Sequence, residues 1–176
     1  MHKIKIISDS TCDLTEELIK ENDIAIVPLY VNFRDRTFLD NVDINTDRLY
    51  ELVKECGFLP TTSATSPGIF YETFKKYLEE GYDIVFTGIG DKLSATMKAA
   101  YAAKQMLKSD RIFLVDSMNL SSGTGLLVLK AVKFRQEGDD AKTIAGKLTE
   151  LAPKVRSQFV IDTMQYLYKG GRLNAL

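Results

Sequence analysis

A chain of 176 residues has the size of a single domain and is long enough to bury a sizeable core. Its 23 Lys and Arg stand against 24 Asp and Glu, a formal charge of −1, which leaves no basic footprint for nucleic acid and no cationic face for anionic lipid. No apolar run approaches the roughly 18 residues of a membrane span, no signal-peptide h-region follows Met1, one histidine (His2) excludes a His-dependent triad or multi-histidine zinc site, and two cysteines without metal spacing (Cys12, Cys56) indicate a reduced, cytoplasmic protein.

Taken in order, residues 3–8 form a short β-branched run that reads as a strand. Residues 15–21 read as a helix with Thr15 at its N-cap. Residues 24–33 are strand-like, with Pro28 demanding an edge or a bulge. Residues 34–43 are polar and loop-like. Residues 46–56 carry Leu49, Leu52 and Val53 on one helical face. Ser66 caps a helix that begins at Pro67 and stops at Gly81. A strand at 82–87 leads to a helix at 94–108, and a strand at 111–116 leads to a helix at 125–136. A further helix covers 139–151 with Pro153 just beyond, and a last strand is expected at 158–163. Strands separated by helices predict an α/β fold, a mostly parallel sheet with helices on both faces. The continuous apolar cores Ile84-Val-Phe86 and Ile112-Phe-Leu-Val115 suit strands covered on both sides.

Ligands of open parallel sheets bind beyond the carboxyl ends of the strands. Four hydroxyl-rich segments fall there: Ser8-Asp-Ser-Thr-Cys-Asp13, Pro60-Thr-Thr-Ser-Ala-Thr-Ser-Pro-Gly68, Gly88-Ile-Gly-Asp-Lys-Leu-Ser94 and Asp116-Ser-Met-Asn-Leu-Ser-Ser-Gly-Thr-Gly125. Hydroxyls and helix-terminal amides are neutral or partly positive donors, suited to one small anion such as a carboxylate or phosphate. Each segment taken alone also reads as ordinary capping and turn chemistry. Ile69, Phe70, Phe74, Met97, Tyr101, Met106 and Met118 lie near these loops in sequence and read either as an adaptable apolar pocket or as common core.

Nucleophilic and cofactor motifs are incomplete. The loop at Asp9 resembles that of haloacid-dehalogenase-type phosphatases, but Thr11 stands where a second acid belongs. Gly88-Ile-Gly90 and Gly123-Thr-Gly125 lack the third glycine of a dinucleotide loop, and no Gly-Lys-Ser/Thr phosphate loop occurs. Ser94 lies in no Gly-x-Ser-x-Gly elbow. A metal-dependent phosphatase or transferase using Asp9, Asp13 or Asp116 is the alternative to an anion-binding module, and helix capping is the plainer role for such strand-end aspartates.

Ser8-Asp-Ser-Thr-Cys-Asp-Leu14, Pro60-Thr-Thr-Ser63 with Ser66-Pro-Gly68, Leu93-Ser94 with Thr96, Val115-Asp-Ser117 with Gly123-Thr-Gly125, and Lys169-Gly-Gly-Arg172 together resemble the DegV family, in order and spacing, over essentially the whole chain. The resemblance implies a bacterial fatty-acid-binding protein of two α/β domains, non-catalytic and without cofactor or metal. It further implies a binding subunit that presents the fatty acid to the catalytic subunit of a fatty acid kinase. By position, Thr62 and Ser94 would hydrogen-bond the carboxylate, with Ser63 and the Ala95 amide in support, and Arg172 would serve partner engagement and phosphoryl transfer.

Departures from the family pattern concentrate at these loops. Ala95 stands in place of glycine, Met97-Lys98 in place of Tyr-Gln, and Ala64-Thr65 in place of Gln-Pro. Family members are longer. The expected organisation is therefore a ligand-binding domain over 1–163, with 164–176 opening the connection to a second domain that is largely missing.

Overall fold

The computed structural model describes residues 3–171 and Leu173. In chain order its elements are β1 (Lys3–Asp9), α1 (Glu16–Glu21), β2 (Ile24–Val27), β3 (Tyr30–Asn32), β4 (Thr37–Leu39), α2 (Thr46–Cys56), β5 (Thr61–Ser63), α3 (Pro67–Glu79), β6 (Tyr82–Gly88), α4 (Thr96–Leu107), β7 (Ile112–Asp116), α5 (Ser122–Gln136), α6 (Ala141–Leu151) and α7 (Gln165–Lys169). Short 3-10 turns follow β1 at Ser10–Cys12 and α6 at Ala152–Lys154.

The main sheet has four parallel strands in the order β2-β1-β6-β7. Its registers place Ile6 opposite both Ile24 and Val85, and Phe86 opposite Leu114. Both faces are covered, so every residue of β1 after Lys3 is buried. Alternation along the strands assigns each face its own core. Ile4, Ile6, Val85 and Val115 pack with Leu127, Val128, Ile144 and Leu148 of α5 and α6. Ile7, Ile84, Phe86 and Ile112 pack with Phe70 and Phe74 of α3 and Met97 of α4. Phe70 and Phe74, one helical turn apart, both meet Phe86, with ring centroids 5.2 and 6.2 Å away.

The helix ends follow local chemistry. Thr15, Asn45, Ser66 and Asp140 accept N–H bonds from Leu18, Arg48, Ile69 and Thr143. Gly57 closes α2 with φ of 71°, a left-handed conformation that glycine adopts without strain.

Three departures from the sequence reading shape the rest of the molecule. The expected strand at 24–33 divides at Pro28: β2 belongs to the parallel sheet, whereas β3 joins a separate antiparallel sheet of order β4-β3-β5. A proline offers no N–H to a ladder, and the Pro28 carbonyl instead accepts the Thr65 hydroxyl. Residues 34–43 are not loop alone, since Thr37–Leu39 pairs with β3, and the hydroxyl-rich Thr61–Ser63 forms the third strand, with Val31 opposite Thr62. This small sheet and α2 share a third core of Val31, Phe33, Ile44 and Leu52.

The third departure is at the other end. Residues 158–163 form no strand. Among the described residues Val155 is the last packed against a core, and beyond it Phe159 and Val160 stand 67% and 98% exposed.

Candidate functional site

β1 connects to β2 on one side and β6 connects to β7 on the other, so the chain reverses its winding between β1 and β6. Crevices form at such a point, outside the strands' carboxyl ends. Three loops meet there. The Thr11 N–H and hydroxyl donate to Asp9 Oδ1 at 3.0 and 2.5 Å, and the Ile89 N–H donates to Asp9 Oδ2 at 2.8 Å, joining the first loop to the second. Asp116 Oδ1 accepts the Met118 N–H at 2.9 Å and the Asp91 N–H at 3.2 Å, joining the third loop to the second. The Gly90 N–H donates to Asn119 O, and the Ser121 N–H to Thr11 O.

Asp9 is fully buried. Burial pushes its carboxyl above the usual range, while the bonds from Thr11 and Ile89 pull it down, and nearby Asp40 pushes it up again. Glycine at 88 permits this arrangement: a Cβ there would lie 2.1 Å from Asp9 Oδ2. Asp9 thus caps the 3-10 turn at Ser10–Cys12, the helix-capping role expected of it, whereas Asp116 caps no helix and instead ties two loops together. Asp13 is exposed, in the left-handed region (φ 51°). Among the described residues, no group of three or more His, Cys, Asp or Glu is placed to hold a metal ion. Burial also pushes the Cys12 thiol up, away from the thiolate that a nucleophile requires.

Between the parallel sheet's carboxyl edge and the small antiparallel sheet lies a cavity of about 690 Å³, within the usual range for small-molecule sites. Thr62 and Ser63 of β5 line it from one side, Ser94 of the β6–α4 turn from another. Its apolar wall is Leu29, Tyr30, Val31, Leu49, Ile89, Leu93 and Leu120, and Thr11, Asp40, Ala64, Lys92 and Gly171 complete it.

The four expected ligand-binding positions differ in how free they are. Thr62 Oγ1 has no partner among the described residues. Ser63 Oγ accepts from Asn32 Nδ2 at 3.0 Å. Ser94 Oγ shares a 2.9 Å hydrogen bond with Thr96 Oγ1 and accepts the Thr96 N–H at 3.3 Å, standing in for the side-chain cap that Ala95 cannot supply to α4. Ala95 itself is exposed at the N-cap of α4 and is not among the cavity's lining residues. Arg172 lies outside the described residues, although Gly171 beside it reaches the wall.

None of the seven apolar residues adjacent to the loops in sequence lines this cavity. Phe70, Phe74 and Met97 are core, whereas Ile69, Tyr101, Met106 and Met118 are exposed. The wall comes instead from β3, α2 and the loop residues Leu29, Leu93 and Leu120. A second cavity of about 650 Å³ lies between the turn after β1, α1 and the start of α2. Asp13, Glu16, Asp40 and Asp43 border it against one cation, Arg48, which is already paired with Glu51 and Glu55, and this makes it a poor host for an anion.

The fold is thus a parallel α/β core carrying a small second sheet, with hydroxyls and an apolar wall sharing one cavity at the strand ends. The chain belongs to the DegV family: residues 3–176 match the family model described as "Uncharacterised protein, DegV family". It is 42% identical over 174 residues to a DegV domain-containing protein of Clostridium acetobutylicum, covering 99% of this chain and 62% of that one. Among solved structures, DegV of Bacillus subtilis, a fatty acid binding protein, superposes with a TM-score of 0.89 at 29% identity, over 98% of this chain and 61% of its own. A fatty-acid-binding DegV family protein of Thermus thermophilus gives 0.86 at 32% identity, over 98% and 61%. The chain therefore spans about three fifths of the length of these relatives.

Proposed function

We propose that the chain binds a long-chain fatty acid, with the carboxylate received by the hydroxyls of Thr62 and Ser94 and the acyl chain laid against the cavity's apolar wall. The observation that carries this reading is the meeting of Thr62 and Ser94 in one cavity, although one comes from a strand of the small sheet and the other from the turn after β6. The fatty acid binding of its Bacillus and Thermus relatives supports the same ligand class. Ser63 and the Ala95 N–H act in support; that N–H makes no hydrogen bond among the described residues. A carboxylate accepting two or three such bonds is fixed in orientation, each charge-assisted bond contributing about 1.5–3 kcal/mol. The bulk of the affinity comes from the chain, at about 0.8 kcal/mol per buried methylene.

On this reading the protein is not itself an enzyme. It presents the carboxyl group to the catalytic subunit of a fatty acid kinase, with Arg172 engaged in that transfer. The position of Gly171 in the cavity wall favours a role for the Lys169-Gly-Gly-Arg172 segment. Residues 1–163 would be the ligand-binding domain and 164–176 the start of a connection. The two unpaired cysteines fit a cytoplasmic setting, and no helix among the described residues is long and apolar enough to cross a membrane.

Solvent extraction of the purified chain followed by lipid mass spectrometry tests the reading. A stoichiometric fatty acid is expected, with occupancy reduced in Thr62→Ala and Ser94→Ala. Full occupancy in both variants would remove these hydroxyls from the head-group site.

A further inference from the structure

The hydroxyls leave one lining residue of the cavity unexplained, the cation Lys92. Lys92 leaves the same turn as Ser94. The Leu93 and Ser94 N–H groups both donate to Gly90 O, at 2.8 and 3.2 Å, so the ammonium and the Ser94 hydroxyl issue from one tight bend at the start of α4. Lys92 makes no ion pair among the described residues. Its neighbour Asp91 and the nearby Asp116 meet through the Asp91 N–H and Asp116 Oδ1. The other charged side chain lining the cavity is Asp40, whose N–H donates to Leu29 O at 2.9 Å. Asp40 also acts on Asp9, which holds the Ile89 N–H, so the lining carries one acid beside the strand-end loops and one cation on the Ser94 turn.

A carboxylate held in a partly enclosed cavity by neutral donors alone keeps an uncompensated charge. An ammonium beside it turns the same contact into a charge-assisted one. We infer that Lys92 is the cation that selects an anionic head group beside Ser94 in the cavity. This rests on the fatty acid reading above and names a residue and a selection rule that the reading lacks.

The test is calorimetric titration of the delipidated chain with palmitate and with the alcohol of the same chain length, at low and high salt. Wild type should prefer palmitate, and the preference should shrink with salt. Lys92→Gln should weaken palmitate about tenfold, the scale of one charge-assisted bond, and leave the alcohol unchanged. Lys92→Arg should keep most of the affinity. Lys92 is exposed, so none of the Lys92 changes endangers folding. Lys92→Gln that binds palmitate with wild-type affinity and salt dependence overturns the assignment. Wild type that binds the alcohol as tightly as the acid overturns it too, while leaving a lipid site in place. Wild type that binds neither overturns the fatty acid reading and Lys92 with it.

Discussion

Asp9 Oδ2 accepts the Ile89 N–H at 2.8 Å, and this bond fastens the carboxyl ends of β1 and β6 where the sheet's winding reverses. Glycine at 88 is the condition for it. In Gly88→Ala the new Cβ would lie 2.1 Å from Asp9 Oδ2 and 2.8 Å from the Phe86 ring. The carboxylate must leave, stranding the Ile89 N–H. The expected loss is about 2–4 kcal/mol of stability, read from urea unfolding; a loss below about 0.5 kcal/mol would show that the tie is dispensable.

The same carboxylate gives stability a direction with pH. Burial raises the Asp9 carboxyl above its ordinary value of 3.8, so the folded state holds that proton more tightly than the unfolded chain does. The contribution is fully present below the unfolded value and is lost as pH rises through the folded one. Denaturation midpoints measured upward from about pH 4 should carry a declining component in wild type that is absent in Asp9→Asn. Parallel curves for the two proteins would mean that the bonds from Thr11 and Ile89 cancel the cost of burial.

Cavity wall and core should separate in mutants. Phe74 is fully enclosed, and Phe74→Ala should cost about 3–5 kcal/mol while lipid occupancy, measured under folding conditions, persists. Leu93 lines the cavity and is 44% exposed. Leu93→Asp should leave the unfolding midpoint almost unchanged and lower lipid occupancy. Equal effects of the two substitutions on occupancy would merge what the structure separates.

Much of the fold was legible because its signals are local. The strands β1, β6 and β7 are apolar runs long enough to stand out, and Ser66-Pro67 marks the start of α3. The three-residue strands β4 and β5 were not legible, since Thr61–Ser63 becomes a strand only by pairing with Tyr30–Asn32. The hydroxyl-rich segments that hold Thr62, Ser63 and Ser94 stood out by composition, and the family resemblance picked out these residues within them. The wall that faces them could not be read in this way, because Leu29, Val31 and Leu49 reach the cavity through that same non-local pairing. Lys92 was readable in principle as a cation two places before Ser94. Its meaning depends on the cavity that it shares with Thr62 and Ser94, which is a tertiary fact.

Phe159, Val160 and Ile161 lie in a β-branched segment that makes no strand pairing, the composition of an edge that recruits another chain. Light scattering across a concentration series should show association in wild type and less of it in Val160→Lys, with the unfolding midpoint unchanged. Identical scattering would show that this segment does not govern self-association.

Gly171 stands in the wall of the cavity, one residue beyond the turn that ends α7. On the proposed reading, a fatty acid that touches Gly171 would couple filling of the cavity to the placement of that stretch of chain. Coupling of that kind is reciprocal: whatever grips the stretch from outside would alter the hold on the ligand by the same factor as occupancy alters the grip.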